Sequence, residues 1–144
     1  MRINPYLNFN GQCEEALTFY AKTLGGKINA LMRYAGTPAE EHCSKDMANQ
    51  IIHGCITIDG MHIMASDCPP EMFSPMKGMT VALHIDDVAE AERAFNALAE
   101  GGTVEMPFQP TFWAKGYGSL TDKFGTPWMV NCNLPYEQGA EPQK

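Results

Sequence analysis

Three histidines, His53, His62 and His84, fall inside strand-like runs, where two or three imidazoles could converge. Converging imidazoles can hold a metal ion or move a proton near neutral pH. The plainer alternative is a histidine hydrogen-bonded within its own sheet. No acidic strand residue joins them to complete a facial triad. His84 leads the three, because alternation puts it on one face with Thr80 and Ala82. By the same parity His53 shares a face with Cys55 and Thr57, and His62 with Met64 and Ser66. His42 stands in a polar stretch and is expected to be solvated.

Phe112, Trp113 and Tyr117, with Trp128 downstream, form an aromatic cluster. They could wall a pocket for a flat or apolar ligand, or plug the open end of a sheet as core. Asn4, Tyr6 and Asn8 alternate with the largely apolar Ile3, Pro5, Leu7 and Phe9. If the apolar set packs on a helix, the polar set faces a concavity, where its groups need partners or a ligand. Gly116 and Gly118 make no phosphate loop; glycine in a strand marks a bend. The five cysteines, Cys13, Cys43, Cys55, Cys68 and Cys132, form no CxxC pair and read as reduced thiols. None shows the helix N-terminus or neighbouring His that marks a nucleophile. Cys55 and Cys132 sit in apolar patterns as small hydrophobes.

Two similar units position these residues. The alternation over 3–9 predicts a strand. Ala16, Leu17, Tyr20, Ala21 and Leu24 then form one helical stripe, stopped by Gly25-Gly26. Residues 27–34 read as a strand and 35–49 as a long loop. Ile51–Ile58, Asp59-Gly60 and Met61–Ser66 spell a hairpin, because Asp-Gly suits a type I′ turn. The pattern then repeats. Thr80–Ile85 is a strand, and Asp87-Val88-Ala89-Glu90 resembles a capping box. Ala91, Ala94, Phe95 and Leu98 form the second stripe, stopped by Gly101-Gly102. Residues 103–106 read as a short strand, 107–114 as an aromatic loop, and Tyr117–Thr121 with Pro127–Asn131 as the last strand pair. The expected fold is α+β: two tandem βαβββ modules with curved mixed sheets around a cavity. Module one spans about 1–67, a linker 68–78, module two 79–133 and a polar tail 134–144, all one domain at this length.

The bulk composition excludes some functions. The net charge is −7 and no Lys/Arg cluster appears, which argues against nucleic acid. The acidic surface reads as solubility, and could favour cationic ligands. No apolar run reaches the ~18 residues of a bilayer span. No signal peptide is read at the N-terminus. The expectation is a cytoplasmic protein with no membrane partner.

The repeat resembles the vicinal oxygen chelate superfamily of glyoxalase I, bleomycin-resistance proteins and extradiol dioxygenases. Residues 5–11, 16–20, 112–118 and 122–128 resemble its PhnB-like branch. Some members of that branch carry a 3-demethylubiquinone 3-methyltransferase label, yet no glycine-rich S-adenosylmethionine motif appears. The resemblance implies a homodimer, which the methionines near the linker and the uncovered sheet edges support. It also implies four metal-ligand positions, which fall on Asn4 or Pro5, near Met64, on Thr80 and near Met129. None is His or Glu, so no metal and no cofactor is expected. The ligand-binding candidates are Asn4, Tyr6, Asn8, His53, Thr80, His84, Phe112, Trp113, Tyr117 and Met129. The expected function is binding a small molecule in the sheet cavity. The alternatives are a metal-dependent enzyme acting on vicinal oxygens, with ligands recruited from the strand histidines, and a drug-sequestering protein of the bleomycin-resistance type.

Overall fold

The computed structural model describes residues 1–134. The chain divides into two compact units at Pro75/Met76, inside the expected linker. Beyond Leu134, the expected polar tail lies outside the described residues.

Unit one runs β1 (Tyr6–Phe9), α1 (Cys13–Leu24), β2 (Lys27–Arg33), β3 (Ile51–Ile58) and β4 (Met61–Asp67). Its sheet order is β1-β4-β3-β2, with β1 parallel to β4 and the other pairs antiparallel. Unit two repeats the plan with β5 (Val81–His84), α2 (Val88–Ala99), β6 (Thr103–Gln109), β7 (Ala114–Thr121) and β8 (Pro127–Asn133). Its order is β5-β8-β7-β6, with the same single parallel pair. Both sheets are open, each ending in two edge strands.

Each core lies between a helix and one face of its sheet. On α1, Ala16, Leu17, Tyr20 and Ala21 recur at helical spacing and are buried. On α2 the buried set is Ala91, Ala94, Phe95 and Leu98, the expected stripe. Gly25 ends α1 with a φ of 71°, a left-handed cap that glycine adopts without strain. Close packing reaches the strand glycines too. A Cβ at Gly54 would lie 2.6 Å from Leu17, and one at Gly118 2.6 Å from Phe95. Both helices therefore lie almost on the strand backbone.

Two buried carboxylates tie the chain together. Asp67 Oδ1 accepts from the Gly11 and Cys13 amides, both at 2.9 Å, and Oδ2 from the Ile51 amide at 3.0 Å. Asp122 Oδ1 accepts from the Phe124 and Thr126 amides, and Oδ2 from the Trp128 indole at 2.8 Å. Asp59 and Gly60, with φ of 48° and 78°, make the expected I′ turn.

Several expectations need correction. The first strand starts at Tyr6, leaving Asn4 ahead of it and Ile3 89% exposed. Pro5 lacks an amide, but its carbonyl accepts from the Met64 amide. Phe108 belongs to β6, not to a loop, because the β6–β7 pairing continues past a register shift to Gln109↔Tyr117. The long loop over 35–49 contains two 3-10 turns, Pro38–His42 and Lys45–Met47. The capping box is half formed. Asp87 accepts from the Glu90 amide, while the Glu90 carboxylate turns to Arg93 instead of returning to the cap.

Candidate functional site

Strand alternation gives each sheet one face against its helix and one face free of it. In unit one, Leu7 and Phe9 are buried, while Tyr6 and Asn8 point the other way. The register sets Cys55 beside Met64 and Thr57 beside His62 on that helix-free face. Tyr6 Oη lies 3.3 Å from His53 Nδ1. His62 Nδ1 lies 3.0 Å from Thr57 Oγ1 and 3.8 Å from Cys55 Sγ, and Thr57 donates to Asn29. The two histidines of this face are thus each held by neighbours in the sheet.

Two thiols depart from expectation. Cys55 is half-buried beside an imidazole rather than in the core. Cys13 opens α1, a position that commonly activates a thiol. Here the opposite holds. Burial, then the negative charges of Asp67 and Glu14, push the Cys13 thiol up to about 12. Burial and Asp67 also raise the Tyr34 phenol, whose hydroxyl donates to the Asp67 carbonyl at 2.6 Å.

Unit two carries a pocket. Across its helix-free face the register lays out rows: His84–Asn131–Tyr117, then Ala82–Met129–Ser119, then Pro127–Thr121. Over the last two rows lies a pocket of about 410 Å³. Thr80, Tyr117, Ser119, Thr121, Glu105 and Met129 are among its lining residues, with Lys77, Met76 and Met79 from the segment ahead of β5. Thr121 Oγ1 donates to Glu105 Oε1 at 2.6 Å, which fixes one polar wall. From Tyr117 an aromatic ladder runs outward. Trp113 meets Tyr117 edge-on at 5.4 Å, and Phe112 meets Trp113 edge-on at 4.8 Å. Phe112, at the tip, is 89% exposed, Trp113 and Tyr117 are half-buried, and Trp128, counted with them in the sequence, is buried in the core.

Of the expected site residues, the structure brings Thr80, Tyr117 and Met129 into one pocket, with Trp113 and Phe112 extending from Tyr117. His84 stands one row away, 3.4 Å from Asn131 Nδ2. Asn4, Tyr6, Asn8 and His53 belong to unit one and do not line this pocket. Ser119, Glu105 and Asn131 were missed. Parity from Tyr117 pointed to Ser119. Glu105 could not be placed, because β6 has register shifts on both sides of Met106.

A model of the 3-demethylubiquinone-9 3-methyltransferase family matches residues 1–131. The chain belongs to that family. Protein YjdN of Escherichia coli K12 is 38% identical over 139 residues, spanning 91% of this chain and 95% of that one. The crystal structure of PA1353 from Pseudomonas aeruginosa shares 44% identity with a TM-score of 0.85, over 92% of this chain and 98% of that one. A PhnB protein from Bacillus cereus shares 25% identity with a TM-score of 0.78, over 92% and 99%. A glyoxylase/bleomycin resistance protein/dioxygenase domain from Frankia, at 10% identity and a TM-score of 0.62, matches in fold alone over 93% and 98%. The chain is thus PhnB-like, and its fold is that of the glyoxylase/bleomycin resistance protein/dioxygenase domains.

Neither methyl transfer from a bound nucleoside nor the metal chemistry of enzymes with this fold finds its usual residues here. A methyl-donor nucleoside such as S-adenosylmethionine would need an open glycine-rich strand-to-helix turn, whose free amides could meet its carboxylate. Here the amides of Gly11 and Cys13 are taken by Asp67, and that of Glu90 by Asp87. At the four positions that the resemblance implies, a divalent ion would need imidazole or carboxylate. Those positions fall on Asn4 or Pro5, near Met64, on Thr80 and near Met129. Among the described residues, no three His, Cys, Asp or Glu side chains converge elsewhere to replace them. No helix among them is long and apolar enough to cross a membrane.

Proposed function

We propose that this protein binds a small organic molecule of mixed polarity on the helix-free face of its second sheet, without a resident metal ion. The observation that carries the reading is the pocket of about 410 Å³ over β7 and β8. That volume falls within the range of small-molecule sites, roughly 300–1,000 Å³. Its floor alternates hydroxyls (Thr80, Ser119, Thr121) with the thioether of Met129, and the phenol of Tyr117 closes one end. Hydroxyls orient a ligand, and methionine adapts to its apolar body. The exposed Phe112–Trp113 edge offers a flat approach surface.

The test is a fragment screen by thermal shift and ligand-observed NMR against wild type and Ser119→Trp, which fills the pocket floor. Hits that stabilise wild type and vanish in Ser119→Trp support the reading. Hits that bind both proteins equally overturn it.

A further inference from the structure

Among the described residues, Asn131 Oδ1 is a buried side-chain oxygen with no hydrogen-bond partner, and its residue is only 7% exposed. The amide nitrogen of the same side chain is engaged twice, with His84 Nδ1 at 3.4 Å and with Asn133 Oδ1. Turning the amide over exchanges an unpaired acceptor for an unpaired donor and does not remove the shortfall. Natural proteins keep few such atoms, because a buried carbonyl loses its water without return. Where they persist, a missing ligand is one explanation.

The position of Asn131 says what kind of ligand. It is the centre of the row His84–Asn131–Tyr117, on β8, one of the two inner strands, and on the same face as Met129 of the pocket. The pocket's Met129 is two residues back along β8, a step of about 6.6 Å. Tyr117 both lines the pocket and stands directly opposite Asn131. With the Asn131 nitrogen toward His84 Nδ1, the amide donates and the ring keeps its hydrogen at Nε2; with the amide turned over both roles reverse, and the row still pairs one donor with one acceptor. The His84 ring is exposed. In the first arrangement the row offers an acceptor, Asn131 Oδ1, and a donor, His84 Nε2–H. Its bonds run to amide and imidazole groups, not to a carboxylate that would neutralise an ammonium. A carboxylate ligand would set its negative oxygens against Asn131 Oδ1.

Building on the pocket proposed above, we propose that the His84–Asn131–Tyr117 row is a subsite for a neutral primary amide. The ligand N–H₂ bonds Asn131 Oδ1 and its carbonyl bonds His84 Nε2–H, while the body of the molecule lies in the pocket. A ligand seated in the row lies beside the Tyr117 ring. Because Trp113 touches that ring at 5.4 Å, binding changes Trp113 emission.

The probe is benzamide, compared with benzoate and benzylamine of the same shape, followed by tryptophan fluorescence to ~20 mM. Benzamide is expected to saturate, with the two charged analogues at least about tenfold weaker, as a site built on paired donor and acceptor discriminates. Asn131→Leu removes the acceptor. It is expected to lose this preference while melting at or above the wild-type temperature, since the unpaired carbonyl goes with it. His84→Ala, at an exposed position, is expected to weaken benzamide several-fold and serves if Asn131→Leu misfolds. Equal binding of the three probes, or no loss in either variant, overturns the subsite. So does failure of benzamide to bind wild type. In each case fragment hits lost in Ser119→Trp would leave the pocket itself standing.

Discussion

Gly26 and Gly102 occupy the same place in the two units, each pressed against the carbonyl oxygen of a threonine on the third strand, Thr57 in one and Thr121 in the other. A Cβ at Gly26 would lie 2.6 Å from Thr57 O, and one at Gly102 closer still to Thr121 O. Backbone cannot swing aside as a flexible side chain can. Gly26→Ala and Gly102→Ala are each expected to cost about 1–3 kcal/mol through forced backbone shifts. Urea unfolding of the two variants checks this. A neutral result at either site would show that the duplication is one of outline and not of packing.

The Asp122 carboxylate plays the part of a staple in unit two. Removing it in Asp122→Ala strands the Phe124 and Thr126 amides and the Trp128 indole, all buried. Each buried unpaired donor costs roughly 1–3 kcal/mol, so the loss should exceed about 3 kcal/mol. Trp128 emission should shift to the red as water reaches the indole. A variant within ~1 kcal/mol of wild type would mean that water already satisfies these donors in its absence.

Most of this fold was legible because its signals are periodic and local. The two buried stripes, the Asp59-Gly60 turn and the Gly-Gly stops are read from neighbours a few residues apart, and the structure places them as expected except for Leu24, which is half-buried while Cys13 and Thr23 join the buried face. Asp67 and Asp122 were not legible as staples. Asp67 gathers amides from Gly11, Cys13 and Ile51, which are far from it in sequence and met only through the fold. The site divides in the same way. Thr80 and Met129 followed from parity and resemblance, and Tyr117 from its place in the aromatic cluster. Asn131 read as the end of an apolar strand, and its significance lies in a bond it does not make, which no sequence pattern records. Phe108 was lost to a loop because Pro107 and the irregular register of β6 hide a strand.

The raised Cys13 thiol makes stability fall with alkali. Its ordinary value is 9.0 and the folded value about 12, so the folded state keeps its proton while the unfolded state loses it. The unfolded state then binds fewer protons, and unfolding becomes easier as pH rises through that window. This contribution is complete below pH 9 and shrinks toward pH 12. Urea midpoints at pH 8 and pH 10.5 should fall less steeply in Cys13→Ala than in wild type. In the native protein at pH 8, Cys13 should resist iodoacetamide while half-buried Cys55 reacts. Rapid native labelling of Cys13 would contradict both statements.

The last prediction concerns metal. Met64 and Met129 bring thioethers, and Thr80 a neutral hydroxyl, to positions where a divalent ion needs anions or imidazoles to offset its lost hydration. Binding that does not occur cannot be coupled to folding. EDTA should therefore leave the melting temperature unchanged, and added Zn²⁺, Ni²⁺ or Mn²⁺ should not raise it. Metal analysis of the purified protein should show no stoichiometric ion, and glyoxalase assays should stay at background. The strand histidines offer the one route by which this could fail, and His84, exposed on the free face of its sheet, is the residue to remove. If wild type holds about one ion per chain and His84→Ala loses it, the metal-free reading is wrong. The chain would then be a metalloenzyme with a relocated centre.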